Sequence, residues 1–233
     1  MSQHAALDPA LHRDLRVDMS RGAALGDALM FAPTFPAEFR NVQAHYPIVF
    51  HKDAAGRFQP VALFGFGPGQ NLYLDGTRWE AGYLPLAVER QPFLIGSGAE
   101  PSVHVDLDSP RVGAATGEPL FDAGGQATPT LERAIAVLRT LHEGLQSNAA
   151  FVATLLEHDL LESFVLDVEL DDGSQHRLSG FYAIHEEHLR SLAPETAGRL
   201  HAQGWLEAAY MALASLGQLR ALIERARGHA RAR

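Results

Sequence analysis

The sequence predicts an α+β fold, with a β-rich N-terminal half, an αα-hairpin, a β-hairpin and C-terminal helices in one compact unit. Three observations carry that prediction. Short apolar runs broken by Gly and Pro fill residues 45–107, helical periodicity takes over after Thr128, and strict alternation over residues 164–170 then interrupts it. With 46% apolar and 20% charged residues, the chain has a globular composition.

Residues 1–40 mix polar, Ala-rich and Pro-punctuated pieces, and Pro33 and Pro36 discourage a long helix there. They read as an N-terminal arm. The strands that follow are expected at Ile48–His51, Pro60–Gly65, Asn71–Asp75, Tyr83–Val88, Phe93–Ile95 and Val103–Leu107. Thr128 and Pro129 then supply a hydroxyl cap and a first-turn proline, and Leu131, Ile135, Leu138 and Leu145 recur at helical spacing. Gly144 and Asn148 read as a break before a second helix carrying Phe151, Val152, Leu155 and Leu156, which makes the αα-hairpin. Phe164, Leu166, Val168 and Leu170 alternate with polar residues, and Asp171-Asp172-Gly173 supplies the turn of a β-hairpin returning through His176–Ala183. A short helix after Pro194 and a long one from Leu206 to Ile223 complete the chain. The arginine-rich end, residues 229–233, reads as a frayed basic tail.

Charge excludes some functions. Twenty-eight acids against 19 bases give a net charge of −9, where a nucleic-acid surface needs a basic stripe, so no nucleic-acid partner is expected. Zero cysteines removes disulfides, thiol nucleophiles and Cys-ligated metals, leaving 12 histidines and the carboxylates for any metal chemistry. No apolar run approaches the roughly 20 residues that cross a bilayer, and residues 1–30 show no cleavable signal pattern. No membrane span and a cytoplasmic location are expected. Nothing in the pattern fixes an oligomeric state.

Two stretches carry candidate chemistry. On a strand, His104, Asp106 and Asp108 share one face, and a His-x-Asp pair is the near half of a facial triad for non-haem iron, with His176, His185, His188 or His201 as the distant third ligand. The plainer reading of that face is solvated polarity, and no cofactor is expected on it; iron(II) is the alternative. The second stretch gathers Trp79, Tyr83, Arg90 and Phe93, with Arg90 between the turn-forming Pro85 and Pro92, which suits a recognition surface of aromatic rings and a guanidinium. It equally suits a core seam with Arg90 hydrogen-bonded inside. Gly65-Phe66-Gly67-Pro68-Gly69 lacks the helix a phosphate loop feeds, so it reads as a strand connection. His185 and His188 are three apart and do not match the His-Glu-x-x-His spacing of zinc proteases.

Pro60-Val61-Ala62-Leu63, Asn71-Leu72-Tyr73-Leu74-Asp75, Tyr83-Leu84-Pro85 and Arg90-Gln91-Pro92-Phe93, preceded by His45-Tyr46-Pro47 and followed by Glu118-Pro119-Leu120-Phe121-Asp122 and Gly180-Phe181-Tyr182, together resemble the SapC family. The likeness runs over about residues 40–225, with residues 41–228 as a single SapC-like domain. It implies an accessory or binding protein in a setting with halogenase-like and cupin or JmjC-like enzymes, and it transfers no catalytic residues. A protein, peptide or small-molecule partner is therefore expected, with catalysis as the lesser reading.

Overall fold

The computed structural model describes residues 3–96, 102–113, 115, 117–169, 173 and 175–231. In chain order the elements begin with β1 (His4–Ala6), β2 (Arg16–Val17), β3 (Phe31–Pro33), α1 (Phe39–Val42), β4 (Ile48–Lys52), β5 (Phe58–Leu63), β6 (Leu74–Asp75) and β7 (Arg78–Trp79). There follow α2 (Leu86–Glu89), β8 (Phe93–Gly96), β9 (Ser102–Asp106), β10 (Glu118–Pro119) and α3 (Pro129–Glu157). The chain closes with β11 (Leu161–Glu169), β12 (Gln175–Ile184), α4 (Glu186–Arg190), α5 (Pro194–Ala202), α6 (Trp205–Ser215) and α7 (Gln218–Arg231). Helices and antiparallel sheets are thus both present, as an α+β chain requires.

The chain divides into two units where a single one was expected. The first comprises residues 1–28, 74–80 and 86–143, and the second residues 29–73, 81–85 and 144–233. The division falls inside α3, whose first half belongs to one unit and whose second half belongs to the other.

In the first unit, β1, β9 and β8 form an antiparallel sheet in that order. Alternation along β9 turns Val103 and Val105 inward, where they join Val17, Phe93, Leu120, Leu131 and Leu138 in one apolar cluster. Thr128 opens α3 as the cap its sequence promises: its backbone carbonyl accepts from Glu132, and its hydroxyl donates to the Pro119 carbonyl.

The second unit is built on a five-stranded antiparallel sheet in the order β11-β12-β4-β5-β3. Phe50 from β4, Phe39 from α1 and Trp205 from α6 all meet Phe151 of α3, which is fully buried. At the end of β5, Gly65 permits a close turn, because a Cβ there would sit 2.5 Å from the Gln70 carbonyl oxygen. The glycine-rich stretch is a strand connection, as read.

Several expectations are corrected. Residues 4–40 are no arm, since β1 pairs with β9 and β3 pairs with β5 inside the two sheets. Tyr83–Val88 is not a strand; the residues from Leu86 turn into α2. The αα-hairpin is one continuous 29-residue helix, α3. Gly144 lies within it because the Phe35 ring occupies the place a Cβ would take, and Asn148 lies within it because its Nδ2 donates to the Thr34 carbonyl at 2.9 Å. Both are packing residues, and neither breaks the helix. The long C-terminal helix is two, α6 and α7, parted at Gly217, and α7 runs through His229 to Arg231. The β-hairpin stands as expected, with a bulge between Phe164 and Leu166; Leu170, Asp171 and Asp172 lie outside the described residues.

Replacing Gly144 by Ala forces the buried Phe35 ring to move, so Gly144→Ala is expected to destabilise the protein by about 1–3 kcal/mol despite the better helix propensity of alanine. Urea unfolding checks it, and a stabilised variant contradicts the packing account.

Candidate functional site

A concave feature within the second unit lies between the β4–β5 hairpin and the second half of α3. Leu145, Asn148, Ala149, Val152, Ala153 and Leu156 fall on one helix face at spacings of three and four, and they form one wall of a groove of about 630 Å³. The opposite wall is the hairpin, from His51 to Gln59. Its turn is held by Asp53, whose carboxylate accepts the amides of Ala55 and Arg57 at 2.9 Å and the Arg57 Nε at 2.8 Å. Those contacts, the Arg57 amide foremost, hold the Asp53 carboxyl below the usual carboxylate range.

The helix wall of the groove is apolar where it is open. Leu156 is 46% exposed, and Ala149 and Ala153 are exposed beside it. Asn148, buried in the wall, commits its Nδ2 to Thr34, and its Oδ1 has no hydrogen-bond partner. A buried acceptor left this way costs about 1–3 kcal/mol. The volume falls in the range of roughly 300–1,000 Å³ that small-molecule sites occupy. The sequence holds a signal for this wall: Leu145, Val152 and Leu156 continue the helical spacing of Leu131 and Leu138 past Gly144.

The predicted recognition residues divide between the units. Phe93 is fully buried in the core of the first unit, so it presents no surface. Arg90 turns back on the same segment and donates from a terminal nitrogen to the Phe93 carbonyl at 2.8 Å, and burial pushes its guanidinium pKa below the ordinary arginine value. Trp79 is half-buried on β7, opposite Leu74. Tyr83 belongs to the second unit, where its hydroxyl donates to Glu38 Oε1 at 2.9 Å. For Arg90 and Phe93 the core seam is the arrangement found.

His104 and Asp106 do share the outward face of β9. The β1–β9 register adds a residue that sequence spacing could not supply: His4 lies directly opposite Asp106, so His4, His104 and Asp106 occupy one face. The His104 ring nevertheless lies over Gly96 with Nε2 3.2 Å from the Ser102 hydroxyl, and the Asp106 Oδ1 accepts the Asp108 amide at 3.2 Å. Among the described residues no three His, Asp or Glu side chains are disposed to hold a metal ion. The histidines expected to supply the third ligand, His176, His185, His188 and His201, belong to the second unit. There His185 accepts the His188 amide at the start of α4, and the two rings stack at 3.7 Å.

A family model described as SapC matches residues 7–222. The chain belongs to the SapC family. No curated protein and no solved structure matches it. The match takes in both units of this SapC chain and starts within the stretch expected to be an arm, in keeping with the strands found there.

Two buried polar networks hold the SapC framework. In the first unit, Arg111 has no solvent exposure and donates to Asp27 Oδ2 at 2.8 Å and to the carbonyls of Asp18 and Ser20. Asp27 also accepts the Gly22 amide at 2.8 Å and lies 3.5 Å from Arg21. Burial, then the neighbouring Arg111 charge, pushes the Arg21 pKa down, while the Ser20 hydroxyl holds the Asp18 carboxyl low. In the second unit, Glu38 accepts from the Thr34 hydroxyl at 2.7 Å as well as from Tyr83. Among the described residues no helix is long and apolar enough to cross a membrane.

Tyr73 offers a titration probe. Its hydroxyl donates to the His45 carbonyl at 2.8 Å, and burial pushes its pKa up to about 12 although Arg225 lies over its ring. The folded state keeps this proton longer than the unfolded state does, so stability falls as pH rises from about 10 towards 12. In a phenolate absorbance titration of the five tyrosines, Tyr73→Phe is expected to remove a component that ionises well above pH 10. All five ionising together near 10 would contradict the burial argument.

Proposed function

We propose that this SapC-family chain is a non-catalytic accessory protein of the cytoplasm that binds a peptide, protein or small-molecule partner in the groove of its second unit, serving a pathway with halogenase-like or cupin or JmjC-like enzymes. The observation carrying the reading is the groove: exposed Leu156, Ala149 and Ala153 stand beside a buried Asn148 Oδ1 without a hydrogen-bond partner. An apolar group laid against the helix leaves water favourably.

Ala149→Arg and Ala153→Arg fill the groove from exposed helix positions that tolerate arginine. A tagged wild-type chain, purified from its own cells, is expected to carry a partner that either variant loses, while both variants keep the wild-type melting temperature. Repeated recovery of the wild type alone, or partners retained equally by both variants, overturns the reading.

A second reading, a metal-dependent oxygenase of the non-haem iron type, is favoured by the face shared by His4, His104 and Asp106. It needs the His104 ring to leave Gly96 and Ser102. Under anaerobic titration with iron(II), this reading expects near-stoichiometric uptake that His104→Ala and His4→Ala each abolish. No uptake of iron, zinc or manganese after reconstitution removes it.

A further inference from the structure

We infer that the outer edge of β11 is a docking site for an extended, basic peptide segment of a partner protein, which adds to the sheet as a sixth strand. The five-stranded sheet of the second unit ends on two strands of different character. At one end, β3 is three residues long, contains Pro33 and is buried or half-buried throughout, so it is protected in the ways that sheet edges commonly are. At the other, β11 runs for nine residues, of which Glu162, Ser163, Val165, Asp167 and Glu169 are exposed. Among the described residues no strand pairs with its outer side.

Charge decides the occupant. Glu162, Asp167 and Glu169 make the strand acidic with no basic residue of its own; Asp167 meets Arg177 of β12 at 3.6 Å in an exposed, solvent-screened pair, and Glu162 lies 3.9 Å from His185 just after β12. A second copy of β11 would bring three further carboxylates to the same edge, and like charges repel across strands. A strand carrying Lys or Arg at alternate positions meets Asp167 and Glu169, which share one face of β11, while its amides and carbonyls pair with the free edge of the backbone. Val165, 52% exposed at the bulge, offers an apolar contact between the acidic positions. The site does not depend on the groove.

The probe is an acetylated, amidated peptide of alternating lysine and valine, with a glutamate–valine peptide as its counterpart. Binding to the full chain is followed by calorimetry and by amide hydrogen exchange. The lysine peptide is expected to bind, to weaken with added salt and to slow exchange in β11. In the triple variant Glu162→Gln, Asp167→Asn, Glu169→Gln its binding weakens about tenfold, whereas Ala153→Arg leaves it unchanged. Equal binding of the two peptides, undiminished binding to the triple variant, protection located outside β11, or self-association that protects β11 would each overturn the proposal.

Discussion

The Phe35 ring lies against the backbone of Gly144, and the shape of the groove in the second unit depends on that contact. With no Cβ in the way, α3 comes close enough to the chain before α1 for Asn148 to reach the Thr34 carbonyl. Thr34 in turn donates to Glu38, which also accepts from Tyr83, so one close approach anchors a run of buried hydrogen bonds. These bonds fix the rotation of the helix about its axis. Phe151 is then buried against Phe39 and Phe50, and Ala149, Ala153 and Leu156 are left facing the groove. The groove is what remains of an amphipathic helix after its other face has been committed.

The same contact explains what could and could not be read from the sequence. Local rules served where local energetics decide: the Thr128-Pro129 start of α3, the Pro194 start of α5, the alternation of β11 and the short strands β4, β5, β8 and β9 all occur as expected. Gly144 and Asn148 misled because their role is set by residues more than a hundred positions earlier, and propensity carries no record of such partners. Tertiary pairing likewise turned the expected arm into strands. The site followed suit. His104 and Asp106 do share a face, but only strand register could bring in His4, and only packing could show that Phe93 belongs to the core.

Arg111 is the corresponding case in the first unit. Nothing around it in sequence marks it as buried, yet it spends three donor contacts on Asp27 and on the carbonyls of Asp18 and Ser20. A buried pair of this kind adds little net stability over an apolar substitute, but losing one partner strands the other charge. Its physical consequence is local: the two terminal guanidinium nitrogens tie Asp18, Ser20 and Asp27 of one segment to one point, while the buried Nε has no hydrogen-bond partner. That segment follows β2, which pairs with β10, so the register of that small sheet and the position of the arginine reinforce each other.

The two binding surfaces inferred for the second unit rest on opposite forces. In the groove, affinity comes from releasing water from Leu156 and its neighbours, a term that added salt does not screen. At β11 it comes from backbone hydrogen bonds guided by carboxylates, and exposed charges lose their reach within about 10 Å at moderate ionic strength. Charge therefore acts unequally: in the groove the Asp53–Arg57 pair leaves the helix wall apolar, while on β11 the exposed carboxylates disfavour a second copy and suit a basic segment. A partner engaging both surfaces would have to combine an apolar element with a basic extended one. A partner that is only basic, or only apolar, gains one contact and forfeits the other, which makes the combination a source of discrimination that neither surface has alone.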